Sequence, residues 1–432
     1  MGETATHPLF RFRWLIFFIL ASAYFFVYFH RLSLSVVADS LIKDFNTTAG
    51  TLGVLGSIYF YCYAFMQLPA GLLSDSVGPR RTVTCFLILA AAGSILFGLA
   101  SNIATAVVGR ILVGFGVSMV FIPTMKILSQ WYAPFEFASM AGILNAIGGA
   151  GAMAATWLLA LMTEMFGWRL SFELIGGCTF LLVGLVWLIV RDRPQDKGWP
   201  PIAELSSKPG RVAAPVKTIP LLAGVRQVLG SRYFWPLAIW YFFDCGIFFG
   251  FGGLWGGPYL MHVHGLSREE TGAVLSMIAW GMIIGSPFLG LVSDRLLQSR
   301  KKPFIGCATV LVLEMGLLYL YPNSLPKLVL YGVFFVFSIC ASAIVAIGFT
   351  ATKELFPVEI AGTSVGTVNL FPFLGGAIYM PMLGKILDLY PRTASDAYAL
   401  EGYTTMLLVL LISSIIALGC TLMIKETFRG RQ

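Results

Sequence analysis

Apolar runs of about twenty residues follow one another along this chain with short polar breaks between them, the length a helix needs to cross roughly 30 Å of hydrocarbon. Reading between charged or Pro/Gly-marked breaks gives twelve runs: 13–38, 50–73, 82–101, 105–127, 138–162 and 171–190, then 233–260, 270–293, 303–321, 328–352, 362–387 and 402–424. Between the sixth and seventh lies residues 191–232, rich in Pro, Ser, Lys and Arg and without a sustained apolar period. The pattern predicts an all-α membrane protein, with six helices over 1–190, a linker over 191–232 and six more over 233–432.

Composition agrees. Hydrophobic residues make up 57% of the 432 and charged residues only 12%, against roughly 45–50% and 25% in soluble chains, so a soluble enzyme is excluded. The net charge of +8 would suit a nucleic-acid binder only if the basic residues clustered on one face; here apolar runs separate small basic groups. Counting them by side changes the picture. The N-terminus, the linker, the C-terminus and the breaks after runs 2, 4, 8 and 10 carry 21 of the 29 Lys and Arg, and the opposite loops carry six: Lys43, Arg169, Arg268, Lys327, Lys385 and Arg392. The excess predicts that both termini and the linker are cytoplasmic. Arg31 and Arg110 belong to neither side. Seven scattered cysteines give neither a disulfide framework nor a metal spacing. Arg11 and Arg13 ahead of Ala21-Ser22-Ala23 read at first like a signal peptide, but the run continues well past that point, so the segment is expected to stay as a helix.

The two halves repeat each other. Gly71-Leu72-Leu73-Ser74-Asp75 after run 2 matches Gly290-Leu291-Val292-Ser293-Asp294 after run 8, and basic residues follow both. Gly142-Ile143-Leu144-Asn145 matches Gly366-Thr367-Val368-Asn369 on runs 5 and 11, at a similar offset (219 and 224). Duplicated six-helix halves are a transporter architecture. Gly71-x-x-x-Asp75-x-x-Gly78-x-Arg80-Arg81 resembles the signature loop of the major facilitator superfamily, with a weaker echo at Asp294, and Arg110-x-x-x-Gly114-x-Gly116 resembles a second motif of that family. The resemblance covers essentially the whole chain. It implies two pseudo-symmetric six-helix bundles around a central cavity, with helices 1, 4, 7 and 10 lining it, helices 3, 6, 9 and 12 outermost, and transport by alternating access. Tyr28-Phe29-His30-Arg31-Leu32-Ser33-Leu34-Ser35-Val36, followed through Gln67-Leu68-Pro69-Ala70-Gly71, resembles the anion:cation symporter branch. That branch commonly carries an aspartate before the first arginine and a glutamate two turns after the second; this chain has His30 and Val117 there.

Arg31 and Arg110 are the sharpest substrate-binding candidates. An arginine near the bilayer centre costs about 2.5–3.5 kcal/mol on insertion scales and needs a counter-charge, water or ligand; a guanidinium grips carboxylate or phosphate bidentately. The alternative is a structural ion pair or a snorkelling side chain. Tyr59 and Tyr63 can add hydrogen bonds to substrate, as can Asn145 and Asn369 or, equally, they can bond neighbouring helices. Trp255 is a further substrate-binding candidate and stands in the glycine-rich run 250–258, read as a flexible gate with aromatic plugs or a static kink. Asp244, a lone carboxylate about mid-membrane in run 7, and His30 are the proton-coupling candidates, with a structural pairing of Asp244 as the alternative. Glu314, on an outer helix, reads as packing. Asp75 with Arg80 and Arg81, and Asp294 in the second half, form a candidate conformational latch of charge-assisted hydrogen bonds; the arginines also set topology. Gly149-x-Gly151-x-x-Ala154 follows no strand and reads as close helix contact. His262 and His264 alone make no metal site.

No nucleophile or metal constellation supports an enzyme, and no phosphate loop supports nucleotide hydrolysis, so the energy source is a gradient; one charge across 100 mV yields about 2.3 kcal/mol. The expected function is ion-coupled transport of a small anionic or zwitterionic metabolite, an organic acid or amino acid, with a proton as coupling ion. The alternative is a facilitative carrier or an exporter of amphipathic compounds. No cofactor, metal or nucleic acid is expected; the partners are substrate, proton and lipid, and the expected setting is a functional monomer in a bacterial inner membrane.

Overall fold

The computed structural model describes residues 8–202, 221–341, 347–357, 360–393 and 397–428. Among these the chain is helical throughout, its one β-type pairing an isolated bridge between Arg392 and Tyr398. In chain order the membrane helices are α1 (Pro8–Leu32, extended by Leu34–Asp44), α2 (Ala49–Ser76), α3 (Pro79–Gly98) and α4 (Ile103–Ser118 with Phe121–Trp131). Then α5 and α6 form one run, Pro134–Met153, Ala154–Leu158 and Leu159–Ile189, broken at Gly167. The second half follows with α7 (Phe234–Ile247, Phe248–Trp255 and Gly256–His264), α8 (Arg268–Leu291), α9 (Lys301–Leu320) and α10 (Lys327–Ala341 with Phe349–Leu355). It ends with α11 (Ala361–Val368 with Leu370–Asp388) and α12 (Leu400–Met423). Residues 342–346 of the tenth run, 203–220 of the linker and both chain ends lie outside the described residues.

Among the described residues, ten stretches are long and apolar enough to cross a bilayer. The difference from twelve has two local causes. Gly167 turns the 51-residue stretch Ser139–Ile189 into α5 and α6, at a φ of 77° that only glycine adopts without strain; and the described part of the tenth run, Lys327–Ala341, is shorter than a full span.

Helix ends follow local chemistry. Ser267 and Glu270 form a reciprocal capping box at the start of α8, Asn102 accepts the Thr105 amide at the start of α4, and Gly78, at φ 96°, hands the chain to Pro79 at the first position of α3. Within the bilayer, apolar surface gains nothing by leaving lipid, so helices associate through close packing of small residues. A Cβ on Gly93 would stand 2.7 Å from the Gly109 carbonyl oxygen, and one on Gly116 2.4 Å from the Ala90 amide, which is how α3 and α4 come together. Gly151 lies so close to α1 that a Cβ would sit 2.1 Å from the Phe25 carbonyl oxygen, matching the expected packing role of that glycine motif. Burial differs most between two helices: α7 is 83% buried over its most apolar window, whereas α12 is 39% buried and presents Ile412, Ile415 and Ile416 outward.

Contacts group the chain into two compact units. The first comprises Met1–His30, Phe65–Gly151 and Phe166–Pro215; the second comprises Arg31–Ala64, Ala152–Met165 and Val216–Gln432. The grouping cuts the chain within the linker, between Pro215 and Val216, and also divides α1, α2 and α5 along their lengths. In the second unit the far part of α1, the start of α2 and the end of α5 pack with the helices of the second half.

Candidate functional site

Within the first unit, Arg110 is 1% exposed on α4, and its Nη1 donates to the carbonyl oxygen of His30 on α1 at 3.2 Å. His30 itself is fully buried. One guanidinium donor is thus spent on holding α4 to α1, so structural anchoring is part of what this residue does. Asn145, on α5, is half-buried.

Within the second unit, Arg31 is 7% exposed and stands in an aromatic ring drawn from three other helices. Its guanidinium carbon lies 5.0 Å from the centre of the Tyr63 ring on α2, 5.3 Å from Phe373 on α11 and 5.7 Å from Phe249 on α7. Tyr63 packs on Phe373 at 4.3 Å, Tyr59 stacks on Tyr63 at 5.9 Å, and Phe60 meets Phe249 at 4.8 Å. A cation held over ring faces away from water gains roughly 2 kcal/mol, while the planar fork keeps its shape for a bidentate anion. Asp244, 2% exposed on α7, has an Oδ2 that makes no hydrogen bond among the described residues. Asn369 is half-buried at the junction between the two segments of α11. Glu314, on α9, is 7% exposed, and neither carboxyl oxygen is hydrogen-bonded among the described residues.

Trp255 is fully buried, and its indole N–H donates to the Met380 carbonyl oxygen at 2.9 Å. The one donor of this side chain therefore holds α7 to α11. The glycine run around it does not break the helix: Phe248–Trp255 winds as a π-helical stretch with helical segments on both sides, and none of its glycines has positive φ. Three backbone approaches bring helices of this unit together, one between α7 and the extension of α1 and two between α2 and α11. A Cβ on Gly257 would lie 1.8 Å from the Ser35 carbonyl oxygen, one on Gly53 2.4 Å from that of Met380, and one on Gly384 2.4 Å from that of Ala49.

Polar contacts fasten the same end of the second unit, where α1 turns into α2. Asp388 accepts the Ala49 and Gly50 amides at 2.9 and 2.6 Å, the charge complement of a helix N-terminus. Arg268 donates to Ser40 at 2.7 Å, Arg392 to the Thr47 carbonyl at 3.2 Å, and His262 meets Asp39 at 3.2 Å. Sequence reasoning missed Asp39, Asp388 and Tyr403, which meet His262, Ala49 and His262 across 223, 339 and 141 residues.

At the opposite loops, the Asp75 side chain lies outside the described residues. In the first unit, the Arg80 amide donates to Asp192 at 2.7 Å, its guanidinium donates to the Trp187 carbonyl and stacks over that indole at 4.5 Å, and Arg81 is exposed. Arg13 and Glu136 form a bidentate pair at 2.9 Å for both contacts, tying α1 to α5. In the second unit Asp294 pairs with Arg300, which also binds Glu354 at 3.1 Å, while Glu426 accepts the Arg300 amide at 2.9 Å.

Burial works against ionisation of Glu426, but hydrogen bonds from Ser299 and from the amides of Phe428, Arg300 and Lys301 outweigh it and hold the carboxyl down at about 2. A depressed carboxyl stabilises the fold above its unfolded value, near 4.3, and loses that contribution as pH falls toward 2. Thermal midpoints of the detergent-solubilised protein are therefore expected to fall over that window, with a shallower fall in Glu426→Gln; equal slopes in both would contradict the assignment.

The profile of the Major Facilitator Superfamily matches residues 20–380. The membrane sensor protein UhpC of Salmonella typhimurium (strain LT2) is 26% identical over 388 residues, covering 86% of this chain and 84% of that protein. A probable hexose phosphate transport protein of Chlamydia trachomatis serovar D is 24% identical over 396 residues, covering 86% and 84%. In fold, the chain is similar to a bacterial homologue of the human lysosomal transporter Spinster in its inward-facing, unoccupied conformation, with a TM-score of 0.75 at 17% identity, covering 97% of this chain and 98% of that one.

Proposed function

This chain belongs to the major facilitator superfamily, a family of multi-pass membrane transporters, and we propose that it moves a small anionic or zwitterionic metabolite by alternating access, with protons as the coupling ion. The observation that carries this reading is Arg31, a guanidinium buried among Tyr63, Phe249 and Phe373. Such a charge is expensive in a membrane, and an anionic substrate offsets the cost while gaining two parallel hydrogen bonds. Arg110, which also holds the His30 carbonyl, contributes its positive charge; Tyr59, Tyr63, Asn145 and Asn369 supply neutral hydrogen bonds. A relative named for hexose phosphate transport supports an anion as cargo. Trp255, whose N–H is taken by Met380, contributes its ring face to the substrate.

Asp244 and His30 carry the coupling proton. Both are buried, so a change of charge on either alters the field around a bound anion. The halves 1–190 and 233–432 rock about the linker 191–232, and the Asp75–Arg80–Arg81 loop with its counterpart at Asp294 latches one conformation. The basic excess on the loops bearing the termini places both in the cytoplasm of a bacterial inner membrane, where the protein works as a monomer.

The aromatic ring around Arg31 favours one other reading, a facilitative carrier or exporter of amphipathic compounds. Proteoliposome uptake from a panel of sugar phosphates, carboxylates, amino acids and lipophilic drugs, with and without a pH gradient, separates the two. Uptake of an anion that rises with an inward proton gradient is the expected outcome. Transport of neutral amphiphiles alone would overturn the anion reading, and anion binding without uptake would point to a sensor, as UhpC is named.

A further inference from the structure

His262 and His264 close α7, and metal-site spacing gives them no role. The contacts of His262 do. Its Nε2 lies 3.2 Å from Asp39 Oδ1 on the extension of α1, and its Nδ1 lies 2.9 Å from Tyr403 Oη on α12. The side chain is 9% exposed and that of Asp39 18%. We propose that His262 is a proton-binding site that fastens α1 to α7: with a proton bound, the Asp39–His262 contact is an ion pair and the turn between α1 and α2 is held shut, and on proton loss it relaxes to a neutral hydrogen bond.

The stereochemistry accommodates both states. In the neutral ring, Nε2–H donates to the carboxylate and Nδ1 accepts from the tyrosine hydroxyl; in the charged ring both nitrogens donate and the Tyr403 oxygen accepts. Each ring nitrogen keeps a partner in both states. Burial opposes ionisation of Asp39, but its hydrogen bonds to His262 and Lys43 prevail and hold its carboxyl at about 2. It therefore stays an anion between pH 5 and 8, the interval in which an imidazole ordinarily changes charge.

The other groups facing the pair set its balance. Lys43, 3.0 Å from Asp39 on the same extension, opposes a second positive charge. Tyr398 presents its ring 6.1 Å from the imidazole and is bound by Arg392 at 3.1 Å. On its own helix His264 meets the Tyr259 hydroxyl at 3.2 Å, and Arg268 at the start of α8 is bound to Ser40 at 2.7 Å. The carboxylate is thus the nearest charge to His262. The remaining grips on this end, Asp388 on the Ala49 and Gly50 amides and Arg392 on the Thr47 carbonyl, are independent of the histidine.

The inference rests on the alternating-access reading only for what closure means in transport; its test needs no substrate. Amide hydrogen exchange of the full-length protein in nanodiscs, corrected for the intrinsic pH dependence of exchange, is followed from pH 8 to 5.5. Protection over residues 34–50 and 256–264 is expected to rise about fivefold on acidification. His262→Gln, which can still bond both neighbours, and Asp39→Asn should each flatten that rise while leaving exchange in α3 unchanged. An equal rise in His262→Gln overturns the proposal, as does a flat profile in the unaltered protein, which decides the matter even if a variant misfolds. A flat profile leaves the uptake reading standing, and failed uptake leaves this readout intact.

Discussion

Arg31→Lys is expected to lower uptake of the carried anion by about ten- to a hundredfold, and Arg31→Ala to abolish it. Lysine keeps the charge and most of the reach but loses the planar fork and its stacking over Tyr63 and Phe373. A charge-assisted bidentate contact contributes about 1.5–3 kcal/mol, which is one to two orders of magnitude in affinity. The measurement is initial uptake rate against substrate concentration in proteoliposomes, with matched insertion checked by thermal stability. Because lysine still places a cation over the same rings, the midpoint should fall far less in Arg31→Lys than in Arg31→Ala. Arg110→Ala should lose transport and stability together, since that side chain also holds the His30 carbonyl across α1 and α4. Wild-type uptake in Arg31→Lys would remove the arginine from the substrate site.

Gly257→Val is expected to eliminate transport through a different cause. A Cβ there would stand 1.8 Å from the Ser35 carbonyl oxygen, and that atom belongs to backbone that cannot rotate away. Overpacking of this kind typically costs about 1–3 kcal/mol, and here the whole cost falls on the arrangement in which α1 meets α7. The variant should therefore bind substrate yet fail to complete a cycle, seen as loss of both uptake and counterflow. Gly290→Ala serves as the control: its added Cβ meets nothing within 4 Å, so it should transport normally. Normal counterflow in Gly257→Val would show that the close approach is dispensable.

Several features were legible in the residues alone because they are local. The runs of apolar length and the break between α5 and α6 each arise within a short stretch of chain, where chain geometry and solvation leave few choices. The packing role of Gly151 was readable for the same reason, since a small residue repeated along a membrane helix has little other use. The latch loop was found as a motif, but its charge partners were not: Arg80 meets Asp192 and Trp187, and Asp294 meets an arginine also bound to Glu354. Trp255 shows the converse. Its position in a glycine-rich run suggested a plug, whereas its buried N–H belongs to Met380.

By itself the sequence determined that this is a duplicated, twelve-run helical membrane transporter with two arginines that no topology signal explains. Hydrophobic length, charge asymmetry and internal repetition are additive along the chain, so they survive without coordinates. The tertiary structure alone decided which groups meet: the aromatic ring around Arg31, the carboxylate on the amides of α2, and the Asp39–His262–Tyr403 chain, whose ends are separated by hundreds of residues. A pairing between positions so far apart leaves no periodic trace, because its energy depends on where the helices cross, and that is set by glycine contacts distributed over the whole bundle.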